Sequence, residues 1–291
     1  MRWKRMAAAS IALALLLILE ICDILYITRQ EGMCRLPVLM YHHFAQESTY
    51  PTVVSFGRFQ EQLAALRDAG YHTVTIPQLI AYVDGGAPLP DKPVLLTMDD
   101  GYTSNIAAAA PVLEEMGFCA TVFVIGINEG ESLYAHTGAP LSPERFSYEE
   151  AAPWVEKGVL DLQSHTFDMH QLAAYGHSSR DGMLRLEGEE DGAYVRALRD
   201  DLEAFRARRA GRVPTELAAL AYPFGYYTRE TDELLAAEGI RATFTTEERI
   251  NNLVPGDSGT LRMMGRFNVT EDLTGWALVE RLRERAGIFD R

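Results

Sequence analysis

Apolar runs of strand length alternate with amphipathic stretches of helix length along most of this chain. Residues 37–44 are apolar up to Tyr41 and end on the polar pair His42-His43, which reads as a strand. In 57–69, Phe59, Leu63 and Leu66 fall on one helical face, and Gly70 ends the helix. Residues 71–76 alternate as a strand, 77–83 read as helix, and 93–100 form an apolar strand bounded by Pro93 and Gly101. The same rhythm continues with a helix over 106–116, a strand over 118–125, a helix over 148–157 and a strand over 159–163. A charged amphipathic helix is expected over 194–209, strands over 217–222, 240–245 and 261–267, and helices over 231–238 and 276–286. Residues 128–143 read as a loop, and the polar stretch 176–192 as an exposed insertion. Strands alternating with helices specify a parallel sheet. About eight such units, with no glycine-rich dinucleotide fingerprint, predict an α/β fold: a distorted (β/α) barrel of seven to eight strands in a single domain.

The N-terminus follows another pattern. Arg2, Lys4 and Arg5 precede the uncharged run 6–19, then come Glu20, Asp23 and further apolar residues to Ile27. A basic start followed by an apolar run is a signal peptide or a membrane anchor. No small-x-small cleavage site follows, and 6–27 is long enough to span a bilayer, so an uncleaved transmembrane helix is the favoured reading. Glu20 and Asp23 sit toward the far end, away from the mid-membrane position where a carboxylate costs about 2.5–3.5 kcal/mol. Residues 1–5 are then a cytoplasmic tip, 28–35 a linker, and 36–291 a domain outside the cell membrane.

Composition narrows the choice of partner. The 291 residues carry a net charge of -14, which argues against nucleic acid and against any polyanion. The three cysteines, Cys22, Cys34 and Cys119, form no CxxC pair and no disulfide framework, although a Cys34–Cys119 bridge stays open. A monomer is expected.

Candidate chemistry collects where strands end. Asp99 and Asp100 stop a strand abruptly, and Gly101 lets the chain turn, so both carboxylates can aim into one cleft. An Asp-Asp-Gly turn that caps a helix is the plainer alternative for that stretch alone. Four strand ends bring His42, Asp99 with Asp100, His165 with His170, and Tyr222-Pro223-Phe224-Gly225 to one rim, where (β/α) barrels build active sites. His165 and His170 are five residues apart, too far for one helix face, but a loop can bring both to one ion with Asp100 as third ligand. His72, His136 and His177 lack such company and read as structural or solvent-exposed. Arg266, ending the last strand, can pair with Asp99 or lie at the surface.

Thr97-Met98-Asp99-Asp100-Gly101 resembles the first motif of the polysaccharide deacetylases, carbohydrate esterase family 4. His165-Thr166-Phe167-Asp168-Met169-His170 resembles the second motif, in the longer spacing of the poly-N-acetylglucosamine deacetylase branch. Ala221-Tyr222-Pro223-Phe224-Gly225 resembles the third, and the likeness runs over about 36–269. The resemblance implies a catalytic domain over 36–291, Asp99 as general base, and Asp100, His165 and His170 as ligands of a divalent metal, zinc by default. It also implies that water activated at the metal is the nucleophile and that the Phe224 N–H, beside Gly225, stabilises the oxyanion. Tyr102, Tyr222, Phe224 and Tyr226 can line a sugar-binding groove, although aromatics at strand ends are more often core.

Two departures follow. No histidine occurs after His177, so the family's late L-x-H acid is missing, and Ala221 stands where an arginine usually steadies the base. Tyr41-His42 resembles the N-terminal histidine of the biofilm-type branch, which makes His42 the expected general acid and His43 its weaker rival. The implied activity is metal-dependent hydrolytic N-deacetylation of an extracellular N-acetylglucosamine-containing polysaccharide. The alternatives are a carbohydrate-binding pseudoenzyme and a metal amidase or O-esterase acting on a smaller substrate.

Overall fold

The computed structural model describes residues 32–48 and 50–287. Among these the chain runs β1 (Cys34–Leu36), β2 (Val38–Tyr41), β3 (His43–Ala45), β4 (Val53–Ser55), α1 (Phe56–Asp68), β5 (His72–Thr73), α2 (Ile76–Gly85) and β6 (Pro93–Asp100). A π-helical turn (Asn105–Ala109) leads into α3 (Ala110–Met116), then β7 (Ala120–Val124), α4 (Tyr148–Glu156), β8 (Leu160–Ser164) and α5 (Asp191–Arg209). Next come β9 (Ala219–Ala221), α6 (Arg229–Ala237), β10 (Ala242–Phe244), β11 (Asn251–Leu253), β12 (Phe267–Asn268) and α7 (Gly275–Ala286). The expected anchor over 6–27 lies outside the described residues; among those described, no helix is long and apolar enough to cross a membrane.

The main sheet has the order β10-β9-β8-β7-β6-β2-β12, all parallel, with β5 added to the start of β6. It curls into a half-barrel, and a parallel bridge from Phe244 to Met264 joins β10 to the segment entering β12. All eight residues of β6 are buried, as a strand covered on both faces requires. Val94, Leu96 and Met98 pack outward with Leu63 and Leu66 of α1, in the layer that also takes in Leu198 and Phe205 of α5. Leu95 belongs to a second cluster with Val38, Phe123, Ala221 and Phe244, drawn from strands around the curl. Thr97 and Asp99 continue that inner face by alternation.

Local chemistry fixes the helix ends. Thr75 with Gln78 and Ser147 with Glu150 form capping boxes at the starts of α2 and α4. Gly86 and Gly117, both left-handed, close α2 and α3.

Several expectations change. The strand expected over 37–44 breaks at His42, and β3 pairs with β4 outside the main sheet. Only Phe267 of the strand expected over 261–267 lies in β12, because a 3-10 turn ends at Leu261 and Met263 has a φ of 51°. An antiparallel pair, β1 with β11, adds to the expected strands. The stretch 176–192 is tied down rather than loose: Met183 is buried, its carbonyl accepts from Tyr194 Oη at 2.8 Å, and Arg180 meets Glu189 at 2.6 Å. Cys34 and Cys119 are free thiols.

One buried carboxylate organises the β9–β10 side. Asp232 accepts from Thr243 Oγ1 at 2.6 Å, from Arg262 Nε and Nη2 at 2.9 and 2.8 Å, and from the Tyr222 hydroxyl. Removing it leaves a nearly buried guanidinium without its counter-charge. Asp232→Ala should therefore lower stability by about 3–5 kcal/mol in urea unfolding; a loss below about 1 kcal/mol would mean that the network is not structural.

Candidate active site

Consecutive strand residues face opposite ways, yet Asp99 and Asp100 serve one cleft. The reason is a backbone reversal: Asp100 has a φ of 74° and Gly101 one of 72°. Asp99 stays on the inner face, where Arg266 donates from Nη1 to Oδ1 at 2.6 Å and from Nη2 to Oδ2 at 2.8 Å. Both partners are buried. Burial pushes the Asp99 carboxyl up, but Arg266 and His165 outweigh it and hold Asp99 below the ordinary carboxylate range.

His165 follows β8 directly, and Thr166 after it has a φ of 70°. The His165 Nδ1 lies 2.8 Å from the Ala221 carbonyl, an arrangement that suits an Nδ1–H donor and leaves Nε2 free. Its Nε2 lies 3.6 Å from Asp100 Oδ1, and His170 Nε2 lies 3.4 Å from the same oxygen. Two ligands of a tetrahedral ion at about 2.0–2.1 Å sit about 3.3–3.4 Å apart, so this spacing fits a cation held between them. Asp100 Oδ1 is also a buried acceptor with no hydrogen-bond partner among the described residues, as a metal-directed oxygen would be. Burial lowers His170 to about 4 against the opposing pull of Asp100, so its imidazole is neutral at pH 7 and able to ligate. Asp100, which burial would raise, is held well down by His170 and His165.

His42 sits in the break between β2 and β3. Asn105, in the π-helical turn after the paired aspartates, donates to its carbonyl at 2.8 Å. The His42 Nδ1 is buried without a partner among the described residues, and the ring is near enough to both carboxylates to favour their charged forms. His43 points elsewhere: its Nδ1 is 2.9 Å from Ser104 Oγ, and its ring lies 5.0 Å from that of Tyr102.

In the third motif the residues separate. Phe224, with a φ of 57°, lays its ring 4.3 Å from His170. Gly225 has a φ of 74°, and a Cβ there would collide with Thr246, so glycine is required. Tyr222 departs from the expected substrate wall. Its side chain is buried, stacked 4.4 Å from Tyr227, and its hydroxyl goes to Asp232.

Three groups missed in the sequence also shape the site. Asp201 of α5 accepts from the Phe167 and Asp168 N–H groups, each at 2.8 Å, and so clamps the loop between the two histidines. His136 meets Asp168 at 2.7 Å, and His177 lines the same cavity of about 420 Å³ as Asp100 and His170. No local signal marks Asp201, which looks like one more charge on an amphipathic helix. The histidines were readable only as histidines in loops.

Comparison with known proteins gives the family. Residues 86–243 match the polysaccharide deacetylase family model. YxkH of Bacillus subtilis (strain 168) is 26% identical over 219 residues, 75% of this chain and 67% of that protein. The poly-beta-1,6-N-acetyl-D-glucosamine N-deacetylase of Escherichia coli (strain K12) is 30% identical over 115 residues, 38% of this chain but only 17% of that one. The structure of IcaB from Ammonifex degensii superposes with a TM-score of 0.68 at 27% identity, covering 84% of this chain and 96% of that one. His42 and Arg266 fall outside the matched span, whereas Asp99, Asp100, His165 and His170 fall within it. Over more than half of its length, including those four residues, the chain belongs to the polysaccharide deacetylase family and is a hydrolase of that type.

Proposed function

We propose that the chain hydrolyses the acetamide of N-acetylglucosamine residues in an extracellular polysaccharide and depends on a divalent metal, zinc in the first instance. The observation that carries this reading is the pairing of two unlike sites at one rim. Three donor atoms of Asp100, His165 and His170 lie within 4.8 Å of one another, beside a carboxylate fixed by Arg266. The relative from Escherichia coli, named a poly-beta-1,6-N-acetyl-D-glucosamine N-deacetylase, supports the glycan class. The apolar run 6–27, with its basic start, supports a tether that keeps a monomeric catalytic domain outside the cell membrane.

Held by those three residues, a divalent cation would polarise the acetyl carbonyl and lower the pKa of water toward about 7. Asp99, ionised and outside the ligand set, takes the proton of the attacking water. The water oxygen bonds to the acetyl carbon, and the Phe224 N–H donates to the carbonyl oxygen as its charge grows. His42 delivers a proton to the glucosamine nitrogen as the C–N bond breaks, giving acetate and a free amine. Arg266 does not touch substrate; it keeps both Asp99 oxygens in place.

Three outcomes are expected. Asp99→Asn should lower acetate release from N-acetylglucosamine oligomers by about 10²–10⁴-fold with metal content unchanged; undiminished turnover would remove Asp99 as base. Chelation should abolish release and zinc should restore it, measured on the same protein before and after dialysis. His42→Ala should cut turnover by about 10²-fold or more while metal stoichiometry holds; a variant as fast as wild type would pass the acid role to another group.

A further inference from the structure

The loop between β7 and α4 folds into a small flap over one side of the cleft. Leu133 and Pro140 form an antiparallel bridge, Tyr134 N–H donates to the Ala139 carbonyl at 2.7 Å, and Leu141 N–H to that of Ser132 at 2.9 Å. The flap is bolted to the segment carrying the ligating histidines. Tyr134 Oη donates to Gln171 Oε1 at 2.9 Å, Gln171 Nε2 donates to Asp168 Oδ1 at 3.1 Å, and His136 Nε2 meets that same oxygen at 2.7 Å. His177 completes the surface, its ring 5.8 Å from Tyr134 and stacked 6.0 Å from His136.

This circuit puts rings beside the reacting centre. Tyr134, Tyr175 and His177 line one side of the cavity of about 420 Å³ that also reaches Asp100 and His170. Tyr102 lines it too, with the Arg145 guanidinium 3.7 Å over its ring. At about 420 Å³ the space lies in the range of small-molecule clefts and is large enough for one sugar residue. A ring with an apolar face and a polar edge, such as Tyr or His, suits a sugar, which presents C–H faces and hydroxyl edges.

We propose that Tyr134 and His177 form the wall on which the sugar being deacetylated stacks. The Gln171–Asp168–His136 circuit holds that wall in register with His170. The inference rests on the glycan reading above and adds the specificity-determining residues, which lie on the flap and beyond the second motif. His177→Ala and Tyr134→Ala should each raise KM for the N-acetylglucosamine pentamer about five- to tenfold. The rise in KM for the pentamer should exceed that for 4-methylumbelliferyl acetate, which carries no sugar, and His177→Phe, which keeps a ring there and leaves the Tyr134–Gln171 bond intact, should retain the wild-type KM for the pentamer. If the wild type deacetylates the pentamer and both alanine variants match its KM, the wall is overturned while the glycan reading stands. If Tyr134→Ala loses both substrates equally, together with bound zinc, Tyr134 acts through Gln171 on the ligand loop and the stacking role is overturned. If the wild type hydrolyses the aryl acetate but neither deacetylates nor binds the pentamer, the glycan reading falls and the wall with it.

Discussion

The salt bridge between Asp99 and Arg266 is the constraint that holds the Asp99 carboxylate and the two edges of the curled sheet together. Each partner alone would be a buried, uncompensated charge, and breaking such a pair costs about 3–5 kcal/mol. Together they are satisfied: the guanidinium also donates to the Thr245 carbonyl at 2.9 Å and to Thr97 Oγ1 at 3.3 Å, and it lies over the Phe123 ring. Arg266 thus ties β6 to the chain just after β10 and just before β12. Below it is the apolar inner cluster, and beside it are the donors of Asp100 and His165. The Asp99 carboxylate can be aimed only if the sheet curls far enough for its last segment to reach its central strand.

A second constraint is local. Asp100, Thr166 and Phe224, each at or just past the end of a strand, have φ of 74°, 70° and 57°. Left-handed backbone costs a side-chain-bearing residue about 1–2 kcal/mol, and a β-branched threonine is the least willing of the three. Surrounding hydrogen bonds keep these turns in place. At Thr166 the carbonyl accepts from Gly126 N–H at 3.0 Å, and Asp201 holds the next two N–H groups. The return is geometric: a strand that would splay neighbouring side chains to opposite faces instead turns them into one cleft.

How much of this is legible in the sequence follows from the range of each interaction. The alternation of apolar strands and amphipathic helices is local, so the parallel sheet and the helices are readable from it. Asp99 with Asp100 and His165 with His170 are short-range clusters at strand ends, and they mark themselves. His136 and His177 do not, because their meaning depends on a flap whose two ends join by backbone bonds and on Gln171 and Asp168 across the cleft. Tyr222 shows the opposite error. An aromatic in a catalytic-looking motif was expected at the substrate, but Asp232, ten residues on, offers its hydroxyl a buried acceptor, and the ring packs inward. The β1–β11 pair joins residues more than two hundred positions apart, beyond any periodic signal.

The substitution at Ala221 is explained by the same geometry. What position 221 supplies is its carbonyl, the partner of the His165 Nδ1, and any residue can supply that. The charge that steadies Asp99 comes instead from Arg266, two residues beyond the Met264 that bridges to β10. Met264 N–H donates to the Thr243 carbonyl at 2.7 Å, and Thr245 N–H donates to the Met264 carbonyl at 2.8 Å. Arg262, two residues earlier, is anchored on Asp232. The segment that joins the two edges of the sheet is therefore also the mount of Asp99. Loosening the Arg262–Asp232 anchor would reach Asp99 through the short segment from Arg262 to Arg266, which couples the stability of this edge to the aim of the carboxylate. In this chain the steadying charge is a property of how the sheet curls rather than of the third motif.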